Sequence, residues 1–415
     1  MGLGNTIACT TLAATLAALG GCAGRHPSAG APLQAPTVAP ETLVTATGAP
    51  LSPAAFTGDM GKAAYLLLGE EHPNPCDHLA QAATIRRLVK SGVRPAIGLE
   101  MVPADLQPIL DAFNRGALAV ADLPTALDWR HTWGFDFELY APIFETAREC
   151  DLPVFALNAP QGLAHKVGKV GLDALPPVER ASLPGAILPP PPTQVEELRT
   201  LFATHAAMFT KAGKSAKAKH GKPAKATAGG RDPFDAFLTV QSLWDTQMAS
   251  RARYARAQTG RPVVIVAGSG HVEQGYGIAH RLRTLDPGAT VVSVMPWRSG
   301  DLPDASDADY FYVCPAMHKS RLGLTLSQEE SGPDKKPGAL LVTDVTAGSP
   351  AARAGLLPGD AVTEVGGQPA TALVDLHTAV ITARQANAPL RLTVRRAGEI
   401  LTIAIPLQAG PPVAK

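Results

Sequence analysis

Four short apolar runs each stop at a group that can do chemistry. Tyr65–Leu68 runs into Gly69-Glu70-Glu71-His72, Ala96–Leu99 into Glu100, Leu152–Leu157 into Asn158, and Val263–Ala267 into Gly268-Ser269-Gly270-His271. Imidazoles such as His72 and His271 could coordinate a metal or hydrogen-bond an anion. The carboxylates Glu70, Glu71 and Glu100 could ligate a divalent ion or act as a general base. Gly268 and Gly270 would let the backbone approach a ligand closely and adopt positive φ. His78 lies six residues after His72 at the start of a helix, from where it could point back toward the same place. Cys76 reads as incidental, because no second cysteine sits at metal-ligand spacing. A cap or a core hydrogen bond explains any one of these residues equally well. As a set, they point to a site.

The elements that must carry them alternate. Five strand-like runs, the four above and Thr290–Met295, are separated by helical patterns. Leu79, Ala82, Ile85, Leu88 and Val89 recur at helical spacing behind an Asp77 cap. Asp232-Pro233 reads as a cap with proline at the first helical position, followed by Phe237, Val240, Trp244 and Met248 as a core stripe. Strands apolar on both faces, with helices between them, predict an α/β fold with a mostly parallel sheet and flanking helices. In such a sheet the carboxyl ends of the strands form the ligand crevice, and four polar strand ends on one edge fit that arrangement.

The chain has 415 residues, a length that favours two or three domains. A 46% hydrophobic content excludes a wholly disordered chain, and a formal net charge of +1 gives no signature of nucleic-acid binding. Residues 1–22 read as a lipoprotein signal peptide. Thr6 to Leu19 is small or apolar, and Leu19-Gly20-Gly21-Cys22 resembles a bacterial lipobox that would place diacylglycerol on Cys22. Residues 23–55 read as a proline-rich tether, and the lysine-rich stretch 211–230 as a solvated flexible insertion. Three cysteines outside the signal, Cys76, Cys150 and Cys314, allow one disulfide without choosing the pair.

From Gly323 to Leu407 the texture changes. Arg321-Leu322-Gly323-Leu324, the turn Gly355…Pro358-Gly359-Asp360 and four strand-like segments around a helix at Leu373–Thr382 resemble a PDZ domain of the bacterial periplasmic-protease type. That resemblance implies a β-barrel-like domain over 314–410. Its groove would take a protein or peptide C-terminus as an added strand, with Leu322, Gly323 and Leu324 at the carboxylate and Leu376 and Val380 lining an apolar pocket.

The α/β region, 56–313, resembles the ChaN-like haem-binding lipoproteins of the Tiki superfamily. The resemblance rests on Gly69-Glu-Glu-His72, Pro75, His78, Gly98-Leu-Glu-Met101, Trp129, Trp133, Tyr140-Ala-Pro142, Asn158, Leu243-Trp-Asp-Thr-Gln-Met-Ala249 and Gly268-Ser-Gly-His-Val272. It implies haem as cofactor, with Glu71, His72, Glu100 and His271 in the polar crevice, and a role in haem or iron handling. It also implies a tyrosinate iron ligand ahead of the Trp-Asp motif, where this chain has Leu238. The expected protein is lipid-anchored in the bacterial cell envelope, at the outer membrane facing the periplasm, with a peptide partner at the PDZ domain, no nucleic acid and a homodimer left open. A metal-dependent hydrolase with a divalent metal on His72, His271, Glu71 and Glu100 is the alternative, and an adaptor working only through its PDZ domain is a third.

Overall fold

The computed structural model describes residues 42–200, 202–203, 231–298, 301–320, 322–328, 340–386 and 388–407. Cys22 and the stretch 211–230 lie outside them.

Two seven-stranded sheets organise the chain. The first is built from β1 (Leu43–Val44), β2 (Tyr65–Glu70), helix α1 (Pro75–Lys90), β3 (Ala96–Pro103), α2 (Phe137–Glu149), β4 (Val154–Asn158), α3 (Pro233–Thr259), β5 (Val263–Gly268), α4 (Ile278–Leu285), β6 (Val291–Trp297) and β7 (Tyr310–Val313). Its strand order is β1-β7-β6-β2-β5-β3-β4, parallel throughout except that β1 runs against β7. Side chains alternate between two cores. Leu66, Leu68, Ile97, Leu99, Val264 and Val266 pack on one face, while Tyr65, Leu67, Val263, Ile265 and Ala267 pack on the other. This is why the runs are apolar at every position: period-two alternation fills both layers. β2, β5, β3 and β4 are neighbours, so the four polar strand ends meet on one edge.

Several local expectations change. Asn74, not Asp77, caps α1, its Oδ1 accepting the Cys76 N–H at 3.0 Å. Asp77 is free to accept from the Glu71 N–H and to pair with Arg298 at 2.6 Å. Leu79 faces outward at 46% exposure, while Ala82, Ile85 and Leu88 are buried. Asp232 does cap α3, accepting from Phe234 and Asp235. The tether ends earlier than residue 55: Leu43, Val44 and Leu51 are buried, and Leu43 and Val44 pair with Tyr312 and Phe311. Cys76 is not incidental. It bonds to Cys314, across 238 residues of sequence, and Cys150 stays a free thiol.

The second sheet contains β8 (Met317–Lys319), β9 (Leu324–Gln328), β10 (Leu340–Val345), helix α5 (Pro350–Arg353), β11 (Ala361–Val365), β12 (Gln368–Pro369), α6 (Leu373–Gln385), β13 (Leu390–Arg396) and β14 (Glu399–Ile405). The order is β14-β13-β11-β10-β9-β8, antiparallel, with β12 paired to β11. Leu322, Leu324, Leu376 and Val380 meet in its core. Among the described residues, no helix is long and apolar enough to cross a membrane.

Candidate functional site

At the carboxyl edge of the first sheet, Glu70 is fully buried and accepts four donors. Oε1 receives the Tyr140 hydroxyl and His72 Nδ1, both at 2.8 Å, while Oε2 receives Gln81 Nε2 at 3.0 Å and His78 Nδ1 at 3.2 Å. Four partners fill a carboxylate's lone-pair sites. Burial alone would raise its pKa, but the two histidines pull it well below the usual carboxylate range. Glu70 is therefore an ion that orients other groups, not a base waiting for substrate.

His78 is completely buried and does not point into the crevice. Its Nε2 donates to the His72 carbonyl at 3.0 Å and its Nδ1 faces Glu70, so both nitrogens carry protons. Burial opposes that charge and Glu70 outweighs it, raising the pKa. His72 is held differently. Its Nδ1 is committed to Glu70, so the proton sits there and the Nε2 lone pair is left toward Gly268. A Cβ at residue 268 would come within 2.9 Å of His72 Cε1 and 3.5 Å of Glu100 Oε2. Gly268 has φ −56°, so it is needed for space, not for positive φ.

Over His72 lie Trp133, edge-on at 4.7 Å between ring centroids, and Phe135 at 5.1 Å, both half-buried. The Trp133 Nε1–H donates to the Tyr140 hydroxyl at 3.0 Å, so one chain of bonds runs Trp133–Tyr140–Glu70–His72.

His271 closes the other side. Its Nδ1 is 2.7 Å from Asp245 Oδ1 and its Nε2 is 3.5 Å from Glu100 Oε1. Burial would lower its pKa, but Glu100 and Asp245 raise it to about 9. Glu100 Oε2 also accepts the Gly268 N–H at 2.6 Å. Asp245 reaches His271 from α3 and is braced from behind by the buried Arg281, at 3.4 Å. Ser269 Oγ, between the two histidine loops, is buried and has no protein hydrogen-bond partner.

Of the crevice residues read from sequence, the fold brings His72, Glu100 and His271 together, with Glu70 and His78 as support behind them. Glu71 turns away to Arg298, 3.4 Å off, and burial raises its pKa despite that cation. Asn158 donates to the Glu100 carbonyl at 2.9 Å and accepts from the Ala159 N–H, so it braces β3 against β4. Tyr140, Trp133 and Asp245 were legible only as matched motif letters. Their roles depend on helices that arrive from distant sequence. Among the described residues, no group of three or more His, Cys, Asp or Glu could hold a metal ion. The divalent-metal alternative therefore finds no support among the described residues: His271 and Glu100 face each other and Glu71 is turned to Arg298.

A family model described as haem-binding uptake, Tiki superfamily, ChaN matches residues 56–282. The chain belongs to this ChaN family. A PDZ-domain model matches residues 320–407. Among solved structures, one titled as cofacial heme binding to ChaN of Campylobacter jejuni is similar at 18% identity, covering 65% of this chain and 95% of that one, with TM-score 0.48. The HtrA3 PDZ domain bound to a phage-derived ligand is similar at 26% identity over 20% of this chain and 82% of that one, with TM-score 0.17. A mutant of the erythromycin esterase EreC in its open conformation is similar at 16% identity over 70% of this chain and 78% of its own, with TM-score 0.36. No curated protein matches the chain. The ChaN match covers β2 to β5 of the first sheet and the PDZ match covers β9 to β14 of the second, as the sequence resemblances imply.

Proposed function

We propose that this chain is a lipid-anchored envelope protein that binds haem for uptake or handling and recruits a protein or peptide C-terminus through its PDZ domain. The observation that carries the haem reading is His72: an imidazole whose carboxylate-bound Nδ1 leaves Nε2 as the donor, beneath two half-buried aromatic rings. A haem group brings a flat apolar macrocycle and an iron with axial positions to fill. An imidazole and two aromatic rings are the kinds of group it needs, and a carboxylate behind a ligating histidine orients the ring and raises its basicity. His72 itself is 3% exposed with its Nε2 edge against Gly268, so an iron would reach it only with the Gly268 loop moved aside.

The tyrosinate position implied by the resemblance is not filled, and Tyr254 and Tyr276, the less buried tyrosines that could substitute, are not placed by the resemblance. Leu238 stands where the resemblance implies tyrosine, and Tyr140 and Tyr312 are fully buried with their phenols pushed well above the ordinary value, first by burial and then by nearby carboxylates. His72 is thus the proposed iron ligand, with Trp133 and Phe135 against the macrocycle. Ser269 and the His271 cation would face its polar side.

Titration of the purified protein with hemin, followed by absorbance, tests this. The wild type should develop a Soret band characteristic of a coordinated histidine. His72→Ala should weaken binding about tenfold or more. Because His72 is buried and bonded to Glu70, the ligand-free variant should also lose thermal stability, so the two proteins are compared at a temperature where both are folded. A spectrum and affinity unchanged in His72→Ala would remove His72 from the iron.

A further inference from the structure

The edge of β9 that a C-terminal peptide would extend is already taken by the chain itself. β9 has β10 on one side and β8 on the other, so neither edge is open. β8 runs antiparallel to β9 toward the turn at Leu322-Gly323-Leu324, the direction a bound C-terminus would take, with His318 opposite Leu326 and Lys319 opposite Thr325. The Lys319 N–H points outward, to the Pro73 carbonyl at 2.7 Å. By the alternation of an antiparallel ladder, His318 and Ser320 face β9. Accordingly the Ser320 N–H donates to the Leu324 carbonyl at 2.7 Å.

Ser320 also fills the place of a terminal carboxylate. Its carbonyl accepts the Gly323 N–H at 2.9 Å. Its Oγ accepts the Leu322 and Leu324 N–H groups at 3.3 and 3.4 Å. These three amides are the ones expected to capture a ligand's carboxylate, and two oxygens of one residue satisfy them. The stand-in is fastened upstream. Cys314 is disulfide-bonded to Cys76, the Pro315 carbonyl accepts from Asn74 Nδ2 at 2.9 Å, and Lys319 Nζ is 2.9 Å from Asp136 Oδ2.

We infer that residues 317–320 are a built-in ligand of the PDZ groove, so that a partner with a free C-terminal carboxylate and an apolar last side chain binds only by displacing them. This rests on the peptide-recruiting part of the function proposed above. A tethered competitor acts at high effective concentration, so the intact groove should bind peptides far more weakly than an open one. The partner would be a chain end available at high local concentration, or one whose further contacts offset the displacement.

Anisotropy titrations of the full chain with a fluorescein-labelled pentapeptide ending in free-acid valine, and with its C-terminal amide, test the inference. His318→Pro removes the N–H facing Leu326 and should tighten free-acid binding at least tenfold over wild type, with no gain for the amide. In the wild type at saturating free-acid peptide, hydrogen exchange should accelerate in 317–320 while 324–328 stays protected. This second readout needs no variant. Tight, free-acid-selective binding that is equal in both proteins would mean an open groove. It would overturn this inference and leave the recruiting function standing. Absence of free-acid selectivity in both would remove the carboxylate capture itself, and with it both readings. Peptide binding without faster exchange in 317–320 would also overturn the displacement.

Discussion

His271 ties the acidic pocket between α3 and β3 to pH. Its folded pKa is raised to about 9 from an ordinary 6.5, because the attraction of Glu100 and Asp245 exceeds the cost of burying the charge. A group raised in this way stabilises the fold fully below its unfolded pKa, and the contribution disappears as pH climbs through the folded value. The wild type should therefore lose thermal stability relative to His271→Gln between about pH 6.5 and 9. Parallel stability curves for the two proteins over that range would show that His271 is not charged in the fold. Glu70 has the opposite sign. Its lowered pKa stabilises at neutral pH and the contribution is lost only as the solution turns acidic. His72, a ligand-type imidazole, takes its orientation from Glu70, the anionic member of the pair.

At the scale of elements, the Cys76–Cys314 bridge joins the first turn of α1 to the end of β7 and closes a loop of 238 residues. Most of its stabilisation comes from restricting the unfolded chain, and reduction should cost about 2–4 kcal/mol. Urea unfolding with and without a reductant measures this. A midpoint unaffected by reduction would mean the unfolded chain is already constrained there.

Much of this architecture was legible in sequence. Leu66 to Leu68, Ile97 to Leu99 and Val263 to Ala267 are apolar at each position because both faces are covered, and the polar group that follows each marks the open edge. What could not be read depends on partners far apart in the chain. The aromatic run Tyr310–Val313 gives no strand signal beyond its four residues, yet it pairs with β6 and sends the Tyr312 hydroxyl to the Gly69 carbonyl. Glu70 and Glu71 are neighbours of one type, and only the positions of Tyr140 and Arg298 decide which of them supports the site. Asn74 and Asp77 are both good caps, and Arg298 drew Asp77 to another task.

At the scale of the molecule, the proposed lipid anchor at Cys22 makes a direct prediction. Cys22→Ser should leave soluble or uncleaved protein and abolish metabolic lipid labelling. Unchanged membrane fractionation together with retained labelling would end that reading. The two-residue strand β1 has a different consequence, for self-association. It covers the outer edge of β7, whose sequence Tyr-Phe-Tyr-Val is aromatic and β-branched. A protein trimmed to begin at residue 56, where the family match starts, would lose that cover and present an unpaired, sticky edge to its copies. Light scattering should find it forming oligomers or precipitate at concentrations where a chain beginning at residue 42 stays dispersed. The short leading segment would then act in the manner of a hem, keeping one sheet from being sewn to the next.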